Sequence, residues 1–282
     1  MAPYRNGFSL SKKLKKTAIV YDFDGTLARG NLQECSFIPK IGMSRKEFWD
    51  EVKRRARNED ADEILVYMHL MLEKALEVGK VVSKHMLRVH GSKAKLFAGL
   101  KGRLWFRRIN EFAAQHGLDL HHYIISSGLE EMIRGCSIQS AFRKIYASKY
   151  IYEKGVAAWP GVAINYTTKT QYLFRINKGV ENHWDNKAIN KYMPKASRPV
   201  PFERMIFLGD GATDIPTMKM LTYQGGHSVA VYDEKGDREY LEKIHSLISD
   251  RRVEFVAPAN YEEKSQLDII IKGIIGRIER SE

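Results

Sequence analysis

Along the chain, short apolar runs alternate with longer segments in which apolar residues recur every three or four positions. Thr17 to Tyr21 (TAIVY) is apolar after its first residue, the pattern of a short strand buried on both faces. From Ser44 to His90 the period becomes helical. SRKEFWDEVKRRA opens on Ser44 and places Glu47 three residues later, a capping box. ADEILVYMHLMLEKALEVGK carries a broad apolar stripe at helical spacing, so the whole region reads as a helical insertion. The alternation then resumes. Arg103 to His116 predicts a helix closed by Gly117, and HHYIISSG predicts a short strand, with His121–His122 at the end of a loop. LEEMIRGC starts a helix. Between Tyr146 and Tyr166 the pieces KYIY, VAAW and VAINY are separated by Lys154–Gly155 and Pro160–Gly161, which predicts a hairpin or meander. Lys169 to Asn177 and Asn186 to Met193 read as helices. RMIFLGDG reads as a strand into a glycine turn, HSVAVYD and VEFVAP as strands, and Gln266 to Ile278 as a last amphipathic helix.

Strands alternating with helices predict an α/β fold with a parallel sheet. In such sheets ligands bind beyond the C-terminal strand ends. Three polar clusters fall at such ends: Asp22 with Asp24, Ser126 with Ser127, and Asp210 with Asp214. Four carboxylates crowded at one edge disfavour one another's ionised forms. A hard divalent cation such as Mg²⁺ relieves that repulsion, and it commonly shares its shell with a substrate phosphate. The chemistry implied is that of a phosphate ester. Taken singly, Asp22 and Asp24 could form a strand-end turn, and Asp214 could cap a helix.

DFDGTL at 22–27 resembles the first motif of haloacid dehalogenase (HAD) superfamily phosphatases, Asp-x-Asp-x-Thr after an apolar strand. GDGATD at 209–214 is similar to the fourth motif and IISSG at 124–128 to the second. The resemblance implies a three-layer, Rossmann-like core, residues 1–28 and 97–282, with a helical cap inserted at 29–96. It implies that Asp22 attacks phosphorus, and that Asp24 serves as general acid and then base. Ser126 and the Ser127 amide would bind the phosphoryl group. Mg²⁺ would rest on Asp22, the Asp24 carbonyl and Asp210, with Asp214 in support. The third motif is a single lysine. Lys169, opening a predicted helix after the strand read over VAINYTT, fits it best; Lys178 and Lys187 compete. Among branches, the cap and Ser126-Ser127-Gly128 most resemble the phosphoserine phosphatase-like one. There the substrate-binding Glu lies nine residues after the nucleophile, but here Asn31 holds that position and Glu34 follows.

Composition adjusts this picture little. The net charge of +12 attracts anions and keeps a nucleic-acid end phosphatase in view. The basic residues are nevertheless spread, with short clusters at Lys12–Lys16 and Lys53–Arg57, not striped along one helix. A phosphomutase would share both aspartates of the first motif, and a non-catalytic HAD-like protein is a third class. Cys35 and Cys136 read as plain thiols, and Trp49, Trp105, Trp159 and Trp184 as packing residues. The polar N-terminus and the lack of a long apolar run predict a cytoplasmic protein with no membrane partner. The expected activity is Mg²⁺-dependent hydrolysis of a small phosphorylated metabolite.

Overall fold

The structure, a computed structural model, describes residues 14–211, 213–236 and 238–281. Most of the basic N-terminal stretch, and Ala212 of GDGATD, lie outside these. The chain runs β1 (Lys15–Tyr21), α1 (Leu32–Lys40), α2 (Arg45–Asn58), α3 (Glu63–Glu77), α4 (Lys84–Gly91) and α5 (Leu104–Gln115). It continues through β2 (Leu118–Leu129), α6 (Glu130–Ile133), β3 (Lys144–Glu153), β4 (Val156–Val162), α7 (Lys169–Lys178) and α8 (Asn186–Asn190). It closes with β5 (Met205–Gly209), α9 (Ile215–Tyr223), β6 (His227–Tyr232), α10 (Arg238–Ser249), β7 (Phe255–Pro258) and α11 (Gln266–Arg280).

The strands form one seven-stranded sheet in the order β4-β3-β2-β1-β5-β6-β7. All neighbours pair in parallel except β3 with β4. β1 lies at the centre, and its residues alternate between two cores. Ile19 and Tyr21 face the cluster containing Trp105 of α5 and Ile271 of α11, whereas Ala18 and Val20 face that of Leu173 of α7 and Met218 of α9. Helices on both faces of a mostly parallel sheet make the α/β fold that the pattern predicted, in the three-layer form that the resemblance implied. No helix among the described residues is long and apolar enough to cross a membrane.

Helices α1–α4 interrupt the chain between β1 and α5. Where the chain leaves and returns, Arg29 N–H donates to Lys95 O at 2.8 Å and Phe97 N–H to Leu27 O at 3.1 Å. The four helices share one continuous apolar cluster with the sheet, Phe37, Met68 and Leu87 packing with Ile124 and Leu129. The capping box of α2 is present as read.

Other local readings give way to long-range packing. Pro160–Gly161 lies inside β4, not between strands: β4 is an edge strand, where a missing N–H is tolerated, and a Cβ on Gly161 would fall 2.6 Å from Ile151 Cγ1. The turn that does close the hairpin is Lys154–Gly155, with φ of +47° and +85°, suited to the strands' twist. VAINYTT is strand only at Val162, and α8 stops at Asn190. Helix α1 went unread because it is short and carries Pro39. Trp105 is buried and Trp49 partly so, but Trp159 and Trp184 are exposed.

His122 lies within β2, not at a loop's end. Trp105 Nε1–H donates to Tyr21 Oη at 2.9 Å, and Tyr21 in turn lies 3.0 Å from His122 Nδ1. His122 Nε2 is 2.9 Å from Asn110 Oδ1, so a neutral ring that accepts from Tyr21 and donates to Asn110 satisfies every partner. Burial, then the neighbouring His121, lowers its pKa to about 3. The unfolded value is about 6.5, so this contribution to stability is complete above that pH and is lost as pH falls towards 3. His122→Gln should therefore flatten the fall in urea midpoint between about pH 7 and pH 5, the residue supplying at most about 1.4 kcal/mol per pH unit. An unchanged slope would mean that the ring is charged in the fold.

Candidate active site

The site begins where β1 ends. Asp22 N–H donates to Leu208 O of β5 at 2.8 Å, which fixes the backbone beyond the strand. Phe23 O then accepts from Leu27 and Ala28, and Gly25 N–H donates to Ala28 O. The resulting tight loop needs φ of +77° at residue 25, a conformation that favours glycine. A Cβ there would also fall 2.1 Å from Asp210 Oδ2. Gly25 thus lets the first and fourth acidic motifs approach.

Lys169, the first residue of α7, is fully buried. Its Nζ lies 2.7 Å from Asp214 Oδ1 and 3.1 Å from Asp22 Oδ2. Burial opposes its charge, but Asp214 and Asp22 outweigh that and raise its pKa; the group is an ammonium. Asp214 holds the N-cap position of α9 yet makes no side-chain cap bond to it. Its second oxygen accepts the Asp210 N–H at 3.2 Å. Burial pushes Asp214 and Asp210 upward, and the neighbouring carboxylates add to this. Oxygens of Asp22, Asp210 and Asp214 can lie within 4.8 Å of one another. With both Asp214 oxygens engaged, Asp22 and Asp210 are the side chains with room for a cation, and an all-oxygen set suits a hard one.

Asp24 points to the side of the insertion. Its Oδ1 accepts the N–H of Leu32 at 3.0 Å, at the positive end of α1. Burial first, then the charge of Asp22, raises its pKa to about 7. Ser126 is buried, and its Oγ accepts the Gly128 N–H at 3.1 Å. A Cβ on Gly128 would sit 2.8 Å from Asp24 Oδ2 and 3.3 Å from Ser126 Oγ, so both groups border one small space. A cavity of about 250 Å³ opens beside Asp24 and Asp210 and is further lined by Arg29, Asn31, Phe97 and Asp233.

The haloacid dehalogenase-like hydrolase family model matches residues 19–219. The chain belongs to this family. An uncharacterized protein of Borreliella burgdorferi is 26% identical over 276 residues, which cover 89% of this chain and 93% of that protein. Among solved structures, a HAD family hydrolase from Salmonella enterica serovar Typhi superposes with a TM-score of 0.56 at 15% identity, covering 93% of this chain and 72% of that one. A probable phosphoserine phosphatase from Vibrio cholerae gives 0.57 at 15% identity, covering 95% and 67%. A phosphoserine phosphatase held as a phospho-aspartyl intermediate analogue gives 0.51 at 17% identity, covering 92% and 99%. At these identities the likeness is one of fold.

In this HAD-like hydrolase Asp22, Lys169, Asp210 and Asp214 meet directly, and Asp24 and Ser126 border the same place. Ser127 is reached through its backbone, its carbonyl accepting the Tyr67 hydroxyl of α3 at 2.7 Å. The competing lysines lie elsewhere: Lys178 donates to Ile189 O and Lys191 O, and Lys187 is exposed. Glu34 is committed within the insertion, to Asn31 at 2.8 Å, to Trp49 at 2.7 Å and to Arg45. Tyr67 was read as part of an apolar stripe; only its hydroxyl distinguishes it there. Arg29 and Asp233 gave no local signal.

Replacing the ammonium should expose how much repulsion it holds. Lys169→Met leaves two buried carboxylates unpaired and should cost about 3–5 kcal/mol in urea denaturation with EDTA present. A stability equal to the parent's would show that the ion pair does not hold the strand ends together.

Proposed function

We propose that the protein is a Mg²⁺-dependent phosphomonoesterase that works through an aspartyl phosphate. The observation that carries this reading is the pairing of Asp22 with the buried Lys169 while Asp24 and Ser126 border the adjoining space. An Asp22 oxygen attacks phosphorus and the ester P–O bond breaks. Asp24, whose raised pKa keeps a proton available near neutrality, gives that proton to the departing alkoxide. Asp24 then takes a proton from water, which attacks the phosphorus and breaks the bond to Asp22, releasing phosphate. Ser126 Oγ already accepts from Gly128, so its own proton is free to donate to a phosphoryl oxygen. Lys169 balances charge on Asp22 throughout. Bound Mg²⁺, for which Asp22, Asp210 and the Asp24 carbonyl are the candidate ligands, would supply charge neutralisation at the phosphoryl group.

Residues 29–96 act as a cap over a core of 1–28 and 97–282. A cavity of about 250 Å³ favours a small ester over a nucleic-acid end. With Asn31 where the phosphoserine phosphatase-like branch has Glu, and Glu34 already engaged, phosphoserine itself is not the favoured substrate.

Purified protein should release p-nitrophenol from p-nitrophenyl phosphate with Mg²⁺ and stop on adding EDTA. Asp22→Asn should fall to background, and Asp24→Asn should lose about 10²–10⁴-fold. Full turnover by Asp22→Asn would remove the assigned nucleophile. Independently of turnover, Mg²⁺ should raise the melting temperature of the parent and not of Asp210→Asn; an equal rise in both would place the ion elsewhere.

A further inference from the structure

The leaving group of any ester cleaved here departs past Asp24, so whatever lines the space beside Asp24 reads its chemistry. Among the described residues lining the 250 Å³ cavity, Arg29 is the one cation, against Asp24, Asp210 and Asp233. Its backbone is pinned to Lys95 O at 2.8 Å. Its guanidinium lies over the Phe97 ring, 4.6 Å from the centroid, which orients the planar fork. That fork is ion-paired to the carboxylate of Asp233, just past the end of β6. The two side chains are 36% and 28% exposed, and pairs so open to water are held weakly.

We propose that Arg29 determines substrate choice and that the favoured esters carry a carboxylate on the leaving group, which replaces Asp233 on the guanidinium. This rests on the phosphatase reading above. The phosphoryl end has Lys169 and a cation site of its own, and it needs nothing from Arg29. At the other end, an uncharged leaving group would leave Arg29 with its internal partner and gain nothing from it. A carboxylate would meet a guanidinium that the Phe97 ring already orients and that already pairs with a carboxylate through Nη1, and its planar fork could take both oxygens. Asp233 acts as an internal competitor, and binding of the substrate shifts Arg29 from one carboxylate to the other.

The test compares two esters that differ only in this group, 3-phosphoglycerate and glycerol 3-phosphate. Binding of each is measured calorimetrically with Mg²⁺ to the full chain carrying Asp22→Asn, so that no turnover is needed. 3-Phosphoglycerate should bind about 10- to 100-fold tighter. Adding Arg29→Ala should erase that preference, and Arg29→Lys should keep part of it. Adding Asp233→Asn should instead tighten 3-phosphoglycerate several-fold. A salt bridge that only fastens the loop is broken by both substitutions and would move affinity in the same direction in each; that result overturns the proposal. Equal binding of the two esters, or binding of neither, overturns it as well. Failure to hydrolyse p-nitrophenyl phosphate would remove the phosphatase reading, whereas this comparison would still report whether Arg29 selects a carboxylate. Melting curves of each variant establish that it is folded.

Discussion

A lysine ammonium with no access to water, held between two carboxylates, is the interaction on which the site depends. Lys169 stands at the start of α7, Asp22 beyond β1 and Asp214 at the start of α9. Each belongs to a different stretch of chain, and none would tolerate burial alone, because an unpaired charge in a protein interior is costly. Their mutual contact makes burial bearable, and so fixes three element ends relative to one another. The charges do not balance: Asp210 and Asp24 lie near the same place with pKa values pushed upward. The centre holds more acids than it can ionise unaided, a state suited to a cation and to a reaction at a phosphoryl group.

Close approach makes that crowding possible. Three glycines stand where a Cβ would collide with a carboxylate: Gly25 against Asp210, Gly209 against Asp214 and Gly128 against Asp24. Two of these carboxylates accept backbone N–H groups, Asp24 from Leu32 and Asp214 from Asp210. Backbone donors hold an acid without bringing a second charge. The acids are therefore fixed in place while the net charge of the site is left for ligands to compensate.

What could be read from sequence was whatever is encoded within a few residues. An apolar run into Asp22-Phe23-Asp24-Gly25 declares a strand end, and the Gly209–Asp214 stretch declares another; both fall at the same sheet edge, as read. The identity of the lysine is different in kind. Lys169, Lys178 and Lys187 each sit near a helix, and what separates them is a contact with Asp214, 45 residues away. His122 was misplaced for the same reason: its partner Tyr21 is 101 residues distant. Pro160–Gly161 shows the converse error, where strong local turn chemistry yields to the freedom of an edge strand. Tyr67 was hidden because a hydroxyl at the rim of an apolar stripe resembles packing until the Ser127 carbonyl is placed beside it.

The inserted helices are joined to the sheet by two unlike sides. On one, α4 meets α6 and the turn after it backbone to backbone: a Cβ on Gly91 would lie 1.8 Å from Met132 O, and one on Gly135 would lie 2.0 Å from Arg88 O. Cys136 Sγ adds a bond to Gly91 O at 3.3 Å. Contacts this tight have no side chain that could rotate aside, so sliding at this seam would cost packing on both partners. On the other side Arg29, between β1 and α1, meets the β6 end through a partly exposed ion pair with Asp233. Nearby, Tyr67 and Tyr150 tie α3 to β2 and β3 by single hydroxyl bonds, to Ser127 O and from β3 to Met68 O. The stiffness is therefore graded across the insertion, greatest at the glycine seam and least at the mouth of the cavity. On the function proposed above, a small ester would reach the acids through this mouth, past the partly exposed pair of Arg29 and Asp233.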